Sequence, residues 1–300
     1  MNDRNRGTIE MVTAMTISGT IGWFVLTSGA GVIDVVFWRC AFAALTLLVI
    51  SGLFGYLRRD IMTGRQALLA AFGGVAVVLN WLMLFAAYPR ASISIATAIY
   101  NTQPFMLVAL GIVIFREKLT GRAAMWLAVA FIGVLVLGKA GPESSGGSDY
   151  VIGILLSLGA AFFYAVAAIV TKKLKGVPPF PIVLIQVIVG LVMLAPLADL
   201  SNPPTTFAAW GSFAVLGAVH TGLMFVLLYS AIQRLPTQLT GALSFVYPLV
   251  AILVDALAFG HRLEPVQLIG AAAILLAAAG MTLGWSPFRK RRDAATGVSR

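Results

Sequence analysis

Two segments of this chain place polar and aromatic side chains, followed by a proline, in the middle of long apolar stretches. The first is residues 100–104, Tyr-Asn-Thr-Gln-Pro, and the second is residues 244–248, Ser-Phe-Val-Tyr-Pro. Proline lacks an amide hydrogen and displaces the carbonyl four residues earlier, so Pro104 and Pro248 predict kinks that free the carbonyls of Tyr100 and Ser244. These carbonyls and the side chains around them could form hydrogen bonds with a small polar molecule.

The hydrogen-bonding groups around these prolines lie beside aromatic rings and suit a zwitterion with an apolar side chain. We predict binding by polar and aromatic residues of both segments and of other apolar stretches, namely Tyr100, Asn101, Gln103, Ser244, Tyr247, Asn80, Trp81, Trp23, Phe163, Tyr164 and His220. Each residue also has a structural interpretation, because buried amides cross-link helices, aromatic rings fill cores, and a buried histidine can stay neutral and hydrogen-bonded. The sequence leaves both interpretations open, with Pro104 and Pro248 as the predicted hinges.

Two charged residues lie within apolar stretches near the same predicted membrane surface. Arg39 and Asp255 each fall one to two helical turns from the outer boundary of their stretch. At that depth a charged side chain can reach the interface, which favours a structural role for both residues. The alternative is an ion pair between them that gates the outer side of a pathway.

The composition excludes most soluble classes of protein. Residues of the AVILMFWYC set make up 60% of the 300 residues and charged residues 11%, against typical values of about 45–50% and 25%. A soluble fold would expose apolar surface that aggregates, so lipid must be the solvent. With one cysteine, Cys40, and two histidines, we expect no disulfide framework, metal or other cofactor. We also expect no enzyme, since a near-match to a phosphate-binding loop at residues 133–140 ends in Ala140 instead of a hydroxyl residue.

Apolar runs of about 20 residues, the length that crosses a hydrocarbon core, recur along the chain. Ten are predicted, over residues 8–27, 34–56, 66–88, 92–115, 121–138, 151–171, 179–198, 206–229, 237–259 and 265–285. The first is long for a signal peptide, and we expect it to be retained. A glycine-rich loop divides the spans equally. This division predicts a first repeat at residues 1–138, a linking loop at 139–150, a second repeat at 151–286 and a basic tail at 287–300.

The basic residues are distributed unevenly between the predicted loops. With a cytoplasmic amino terminus, 17 of the 21 Lys and Arg residues fall in inner segments, and only Arg90, Lys139 and Arg262 fall in outer loops. Positively charged loops stay in the cytoplasm, so both termini are predicted inside, in a multi-pass protein of the cytoplasmic (inner) membrane. The net charge of +10 then faces anionic lipid and not nucleic acid.

The two halves carry the same frame of residues. A shift of 144 residues places Arg90 on Arg234 and Pro104 on Pro248. Because each half has an odd number of spans, the second half would insert upside down relative to the first. The predicted fold is therefore an all-α polytopic membrane protein with ten transmembrane helices as two inverted five-helix repeats. This architecture is typical of secondary transporters, with substrate bound near the midplane.

This frame resembles the drug/metabolite transporter superfamily and, within it, the EamA branch. Residues 115–119, Phe-Arg-Glu-Lys-Leu, resemble the Glu-basic-Leu turn of that branch after span four, whereas residues 259–263, Phe-Gly-His-Arg-Leu, lack the acid. The resemblance implies an exporter of amino acids or related metabolites. Together with the aromatic candidates it favours a small substrate with an aromatic or large apolar side chain, moved across the bilayer by alternating access.

Other functions stay open at this stage. A cationic-drug/proton antiporter needs a deep carboxylate, and Glu10 and Asp255 lie near opposite edges of their spans. A carrier of phosphorylated metabolites needs embedded cations, and Arg39 is the only one predicted. A passive channel or a scaffold is a further alternative. The sequence predicts neither the coupling ion nor the choice between monomer and dimer.

Overall fold

The computed structural model describes residues 2–56, 58, 60–91, 96, 99–137, 148–259 and 265–285. The chain is helical in these ranges and forms no strand in them, as predicted for an all-α protein. Most of the predicted linking loop and the whole basic tail lie outside the described residues, as do Lys139 and Arg262.

The described helices lie along the predicted apolar runs, and several of those runs contain a break. In chain order they are α1 (Asp3–Gly19), α2 (Ile21–Ser28), α3 (Val32–Leu53), α4 (Gly64–Ala91), α5 (Gln103–Phe115), α6 (Gly121–Leu137), α7 (Ser148–Lys173), α8 (Pro179–Leu194), α9 (Phe207–Gly217), a π-helix (Ala218–Leu223), α10 (Met224–Arg234), α11 (Thr237–Ser244), α12 (Val246–Phe259) and α13 (Pro265–Leu283).

Four helical segments are long and apolar enough to cross a membrane by length and composition. They are Val32–Leu53, Gly64–Ala87, Asp149–Lys173 and Phe207–Arg234. Shorter apolar helices accompany them, and many large apolar side chains lie on the outside of the bundle, among them Leu53, Val113 and Leu257. An outer surface of this kind is stable against lipid acyl chains and aggregates in water.

Both proline-containing stretches are interrupted, but the helix ends before the proline instead of bending at it. Asn101 and Thr102 form a turn, and Pro104 is then the second residue of α5. In the second half, α11 ends at Ser244, Phe245 is the break, and Pro248 is the third residue of α12. The first-turn amides of a helix have no intrahelical acceptor, so a proline there loses no hydrogen bond. The predicted kinks are therefore breaks between two half-helices.

A π-helix interrupts the long helical segment between Phe207 and Arg234. Within it, the Thr221 hydroxyl donates to the carbonyl of Leu216 at 2.8 Å, and Nδ1 of His220 lies 3.3 Å from the carbonyl of Val215. Both side chains thus contact carbonyls five residues back. Such wide turns redirect side chains and are frequent at functional sites.

The two halves of the sequence interleave instead of forming separate bodies. The most extensive contacts join a helix of the first half to one of the second, as α4 with α7, α6 with α13, α1 with α10 and α3 with α8. Many of them occur in reciprocal pairs. The packing of α5 on α7 corresponds to that of α12 on α1, and the packing of α3 on α9 corresponds to that of α8 on α4.

These contacts define two bundles, each built from both halves. The first bundle comprises α4, α5 and α7, and the second comprises α1 with α9–α10 and α11–α12. The pair α3 and α8 packs beside both bundles, because α3 contacts α9 and α8 contacts α4. Most of the residues predicted to bind a ligand lie on helices of these bundles or in the breaks of those helices, whereas Trp23 lies on α2.

Candidate functional site

The polar residues around the first break are tied to two other helices. Nδ2 of Asn80, in α4, donates to the carbonyl of Ala160 in α7 at 2.7 Å and to the hydroxyl of Tyr100 at 3.2 Å. The ring of Tyr100 lies edge-on to that of Tyr164, with centroids 6.3 Å apart. All three side chains therefore meet inside the first bundle.

The second bundle approaches this group through Ser244. The Ser244 hydroxyl donates to the carbonyl of Thr240 at 2.9 Å and lies close enough to Tyr164 to interact with its hydroxyl. Tyr247 lies close enough to interact with Tyr100. The two interrupted stretches thus face each other across the junction of the bundles.

Two buried polar atoms at this junction lack a hydrogen-bond partner in the described structure. They are Oε1 of Gln103 and Oγ1 of Thr102. Asn101 is buried beside them. A buried polar atom without a partner is costly, by about 1–3 kcal/mol for each group, so these atoms are ready to bind a polar ligand or water.

An aromatic row extends from this junction toward α3. Trp81 lies edge-on to Phe225 and Phe225 edge-on to Tyr229, each pair with centroids 5.5 Å apart. The Tyr229 hydroxyl donates to Oε1 of Gln186 at 2.5 Å, while Nε2 of Gln186 has no partner in the described residues. This row, which we call the aromatic row, joins α4, α10 and α8.

Arg39 lies at the end of the aromatic row. Its guanidinium stacks on Trp81, with Cζ 4.1 Å from the ring centroid, and its Nε donates to Oγ1 of Thr221 at 3.0 Å. The side chain is only 1% exposed, so Arg39 does not reach the interface. The predicted ion pair with Asp255 stays a prediction, since the side chain of Asp255 lies outside the described residues.

His220 is buried and has a partner at each ring nitrogen. Nε2 lies 2.7 Å from Oγ1 of Thr20, and the ring packs on Phe24 with centroids 5.0 Å apart. His220 therefore joins the π-helix to the break between α1 and α2. This placement favours the structural interpretation of the residue.

Two of the predicted residues lie apart from the hydrogen-bonded centre. Trp23 is 41% exposed and contacts the ring of Phe24. Phe163 is half-buried against the core and packs on Phe162, whose ring is exposed. Neither side chain has a described polar contact with the junction.

Gln186, Tyr229, Phe225 and Thr221 complete the site, and the sequence interpretation missed their role there. Gln186 is the only polar side chain in α8, which was a usable signal. Tyr229 stands at the end of the predicted span 206–229, where an aromatic residue is usually an interfacial anchor, but the helix continues to Arg234 and buries it. Nothing in the local sequence singled out Phe225 or Thr221.

The described chain ends meet at one end of the bundle, which we call the terminal face. There the guanidinium of Arg4 reaches the carbonyl of Met281 at 3.5 Å, and Arg122 donates to the carbonyl of Gly284 at 3.0 Å. Glu10 of α1 pairs with Arg6 and Arg234. The terminal face therefore collects most of the described ion pairs.

The two bundles are held together at the terminal face by the turn after α5. Arg116 adopts a left-handed conformation with φ of 55°, which directs Glu117 toward α7 and α11. Glu117 accepts hydrogen bonds from Lys172 at 2.6 Å and from Thr237, and Gln238 donates to the carbonyl of Lys118 at 2.6 Å. The contacts of Thr237 and Gln238 cross from one bundle to the other.

The charge of Glu117 is stabilised by these contacts. Burial on its own would raise the pKa of the carboxyl. The hydrogen bonds from Lys172 and Thr237 and the positive charge of Lys172 outweigh burial and hold the pKa below its ordinary range. Glu117 is therefore ionised at neutral pH and pairs with Lys172.

Broken helices that meet at a polar centre, inside an apolar multi-helix bundle with charges at one face, define a class of protein: multi-pass membrane transporters. Comparison with known proteins agrees with this class. The EamA-like transporter family matches the chain over residues 5–139 and again over residues 151–283. The chain belongs to this family, and hence to the drug/metabolite transporter superfamily, and is a membrane-embedded, multi-pass transporter.

Curated relatives are named as transporters. The uncharacterized transporter YxxF of Bacillus subtilis is 28% identical over 286 residues, which cover 93% of this chain and 89% of the relative. A probable amino-acid metabolite efflux pump of Salmonella typhimurium is 30% identical over 216 residues, 67% of this chain and 70% of the relative. A crystal structure with 18% identity shares the fold, with a TM-score of 0.80 over 92% of this chain and 96% of that one.

Proposed function

We propose that this protein is a secondary transporter that exports small amphiphilic metabolites, most of all amino acids with an aromatic or large apolar side chain. The observation that carries the proposal is the buried junction where polar atoms of Gln103 and Thr102 have no described partner and the rings of Tyr100 and Tyr164 pack edge-on beside them. Such a surface offers hydrogen bonds to an amino acid's charged groups and apolar contact to its side chain. The names of two relatives as probable amino-acid metabolite efflux pumps support the same substrate class.

The transport cycle follows from ten spans in two inverted five-helix repeats, with residues 1–138 as the first and 151–286 as the second. The reciprocal packing of the halves and the two matched ranges of the family support this arrangement. In this scheme the two bundles rock about the junction, and the breaks before Pro104 and Pro248 are the flexible points. Both termini and the terminal face lie in the cytoplasm, which the excess of basic residues supports.

The contacts between Glu117, Thr237, Lys118 and Gln238 close the terminal face in this scheme. A substrate at the junction would then leave toward the opposite face, and the contacts must break for the next molecule to enter. Opening costs little, because few hydrogen bonds are exchanged for hydrogen bonds to water, each worth about 1 kcal/mol net.

The proposal is tested by counterflow in liposomes. Purified protein is reconstituted with unlabelled phenylalanine inside and labelled phenylalanine outside, with sugar phosphates and a quaternary-ammonium drug among the competitors. Saturable uptake that only amino acids suppress is the expected result. Suppression by the drug alone would favour a cation antiporter, and suppression by the phosphates alone would favour a phosphorylated-metabolite carrier.

The site assignment is tested in the same assay. Gln103→Ala and Asn101→Ala are expected to reduce saturable counterflow by about 10-fold or more, because each variant loses one buried hydrogen bond to a charged group of the substrate. The exposed loop residue Asn202 supplies the control Asn202→Ala. Normal transport by both junction variants would mean that these amides only cross-link helices.

A further inference from the structure

Arg39 is the only Lys or Arg residue that is buried among those the structure describes. Its Nη2 atom lies inside the protein without a hydrogen-bond partner in the described structure. A charged group in an apolar interior is stable only when it is paired and hydrogen-bonded. The position of Arg39 therefore requires a partner that is absent from its described surroundings.

The described carboxylates do not supply that partner. The described ion pairs join Glu10, Asp60 and Glu117 to other basic residues. Asp34, the acid in the same helix, accepts instead from the backbone amide of Asp199 at the surface. The missing partner is therefore an anion from outside the chain or a carboxylate outside the described residues, of which Asp255 is the one predicted at a similar depth.

Arg39 is also held in one orientation. The Thr221 hydroxyl donates to the carbonyl of Leu216 and so presents a lone pair to Nε of Arg39. Trp81 supports one face of the guanidinium at 4.1 Å. The Nε atom and one face of the guanidinium are therefore occupied, and the edge that carries Nη2 is free to donate hydrogen bonds. A guanidinium held in one orientation in this way can bind a carboxylate through two hydrogen bonds.

We propose that Arg39 binds the carboxylate of the transported molecule, with Thr221 and Trp81 as positioning residues. This inference rests on the proposed function and names the recognition element of its site. The aromatic row begins at Trp81, so a carboxylate on Arg39 would place an apolar side chain along Phe225 and Tyr229. One guanidinium matches a carboxylate with a single charge, whereas a phosphate dianion would leave a negative charge unpaired in the interior.

Arg39 also contacts both bundles, through Trp81 in the first and Thr221 in the second. A carboxylate bound there would neutralise the charge of the guanidinium and so change the interactions of Arg39 with Trp81 and Thr221, which link the two bundles. Arg39 is thus a substrate-binding residue at the point where the bundles move relative to each other, and not a gate that pairs with Asp255.

The first test is a binding measurement that does not depend on transport. The thermal stability of the purified protein is measured with phenylacetate and with phenylacetamide, which differ only in the charged group. We expect phenylacetate to stabilise the wild type. Phenylacetamide should need a concentration about 10- to 100-fold higher for the same stabilisation, because it lacks the charge-assisted hydrogen bond. Arg39→Gln should abolish this preference, and Arg90→Gln, at an exposed arginine, should retain it.

Further variants keep the test decisive if Arg39→Gln does not fold. Arg39→Lys keeps the positive charge but removes the planar set of N–H donors, so it should weaken the preference for phenylacetate several-fold. Thr221→Val removes the orienting hydroxyl at constant shape and should do the same. Asp255→Asn should leave the preference intact. Loss of the preference in Asp255→Asn, or rescue of Arg39→Gln by it, would show a buried ion pair and overturn the proposal.

Counterflow then separates this proposal from the proposed function. Phenylalaninamide should compete with labelled phenylalanine far less than phenylalanine itself does. Equal competition would refute carboxylate recognition and leave amino-acid transport standing. A protein that prefers phenylacetate through Arg39 and moves no amino acid would refute the proposed function and leave the carboxylate site standing.

Discussion

At the scale of single residues, the buried polar groups of this protein differ in whether they have hydrogen-bond partners. Asn80 and Ser244 bind backbone carbonyls and stabilise the packing of helices, whereas Thr102 and Gln103 each keep an atom without a described partner. The first kind explains stability, and the second kind points to a ligand. Both kinds lie within the same junction, so a substitution must be interpreted by the bond that it removes.

Tyr229→Phe tests the stabilising role of the aromatic row. The change removes the hydroxyl that Gln186 accepts from, which leaves a buried amide without any described partner. We expect the free energy of unfolding to fall by about 1–3 kcal/mol, measured as a lower melting temperature of the purified protein in detergent. Tyr56→Phe, at a half-buried tyrosine stacked on Phe180, is the control. Equal melting temperatures for both variants would mean that the bond to Gln186 contributes nothing.

Glu117→Gln tests the ion pair at the terminal face through its pH dependence. Because the folded protein holds the pKa of Glu117 below its ordinary range, the pair stabilises the fold above about pH 4, the ordinary range of a glutamate. This stabilisation is lost as the pH falls through the folded-state pKa. The difference in melting temperature between wild type and Glu117→Gln should therefore be constant from pH 8 to 5 and shrink below about pH 4.

The exposed pair of Arg58 and Asp60 supplies the control for that measurement. Its side chains are mostly in solvent, so Asp60→Asn should change the melting temperature little at any pH. A difference for Glu117→Gln that changes between pH 5 and 8 would contradict the assignment, since the carboxyl would then titrate in that interval.

At the scale of elements, close contact between helices depends on small residues. A Cβ atom on Gly217 of α9 would lie 2.3 Å from Cβ of Phe42 and 2.8 Å from the backbone nitrogen of Ala43. The helices α9 and α3 therefore touch backbone to backbone. This approach also brings Thr221 of the π-helix to Arg39, so the packing of glycine positions the candidate carboxylate site.

Gly217→Ala is predicted to separate α9 from α3. The added methyl group overlaps backbone, and we expect destabilisation of about 1–3 kcal/mol and weaker phenylacetate binding because Thr221 moves away from Arg39. Gly211→Ala lies in the same helix with nothing within 4 Å of the added carbon, and it should be neutral or slightly stabilising. The test compares the melting temperatures of the two variants with that of the wild type. An equal decrease in both would mean that alanine destabilises the helix itself and that the contact of Gly217 with α3 has no role.

The interrupted helices are a second property of elements. Each break lies just before a proline, where a first-turn proline loses no hydrogen bond, and each exposes the ends of two half-helices to the junction. Backbone groups at such ends have no intrahelical partner. Breaks of this kind inside an apolar bundle are stable only where other groups or a ligand satisfy them.

At the scale of the whole molecule, the interleaving of the halves determines which parts can move together. Each bundle takes helices from both halves, and the terminal face joins the bundles through short polar contacts. A change that removes these contacts without touching the junction should favour opening at that face.

The double variant Thr237→Val and Gln238→Ala is predicted to open the terminal face. The reporter is Val108→Cys in a Cys40→Ala background, because Val108 is buried where α5 meets α11. We expect maleimide to label the reporter about 10- to 30-fold faster, since two hydrogen bonds worth about 1 kcal/mol each are lost. Gln66→Ala, which removes only a local bond to Thr63, should leave the rate unchanged. Unchanged labelling in the double variant would show that other contacts close this face.

The sequence by itself determined the class of the protein. Its apolar composition, the lengths of its apolar runs and the turn at residues 115–119 predicted an all-helical EamA-type membrane transporter, and the fold and the family match confirm this. These properties are local, so they can be interpreted without knowing what each residue touches. The polar residues beside the prolines, among them Tyr100 and Gln103, were also visible because amides and hydroxyls are rare in such apolar runs.

The tertiary structure alone decided which side chains meet. The helices are apolar on nearly every side, so no stripe of the sequence marks the face that points inward. For this reason the bonds from Tyr229 to Gln186 and from Arg39 to Thr221, across 43 and 182 residues, were not predicted. The interleaving of the halves was hidden for the same reason, because hydropathy gives the depth of a helix in the membrane and not its neighbours.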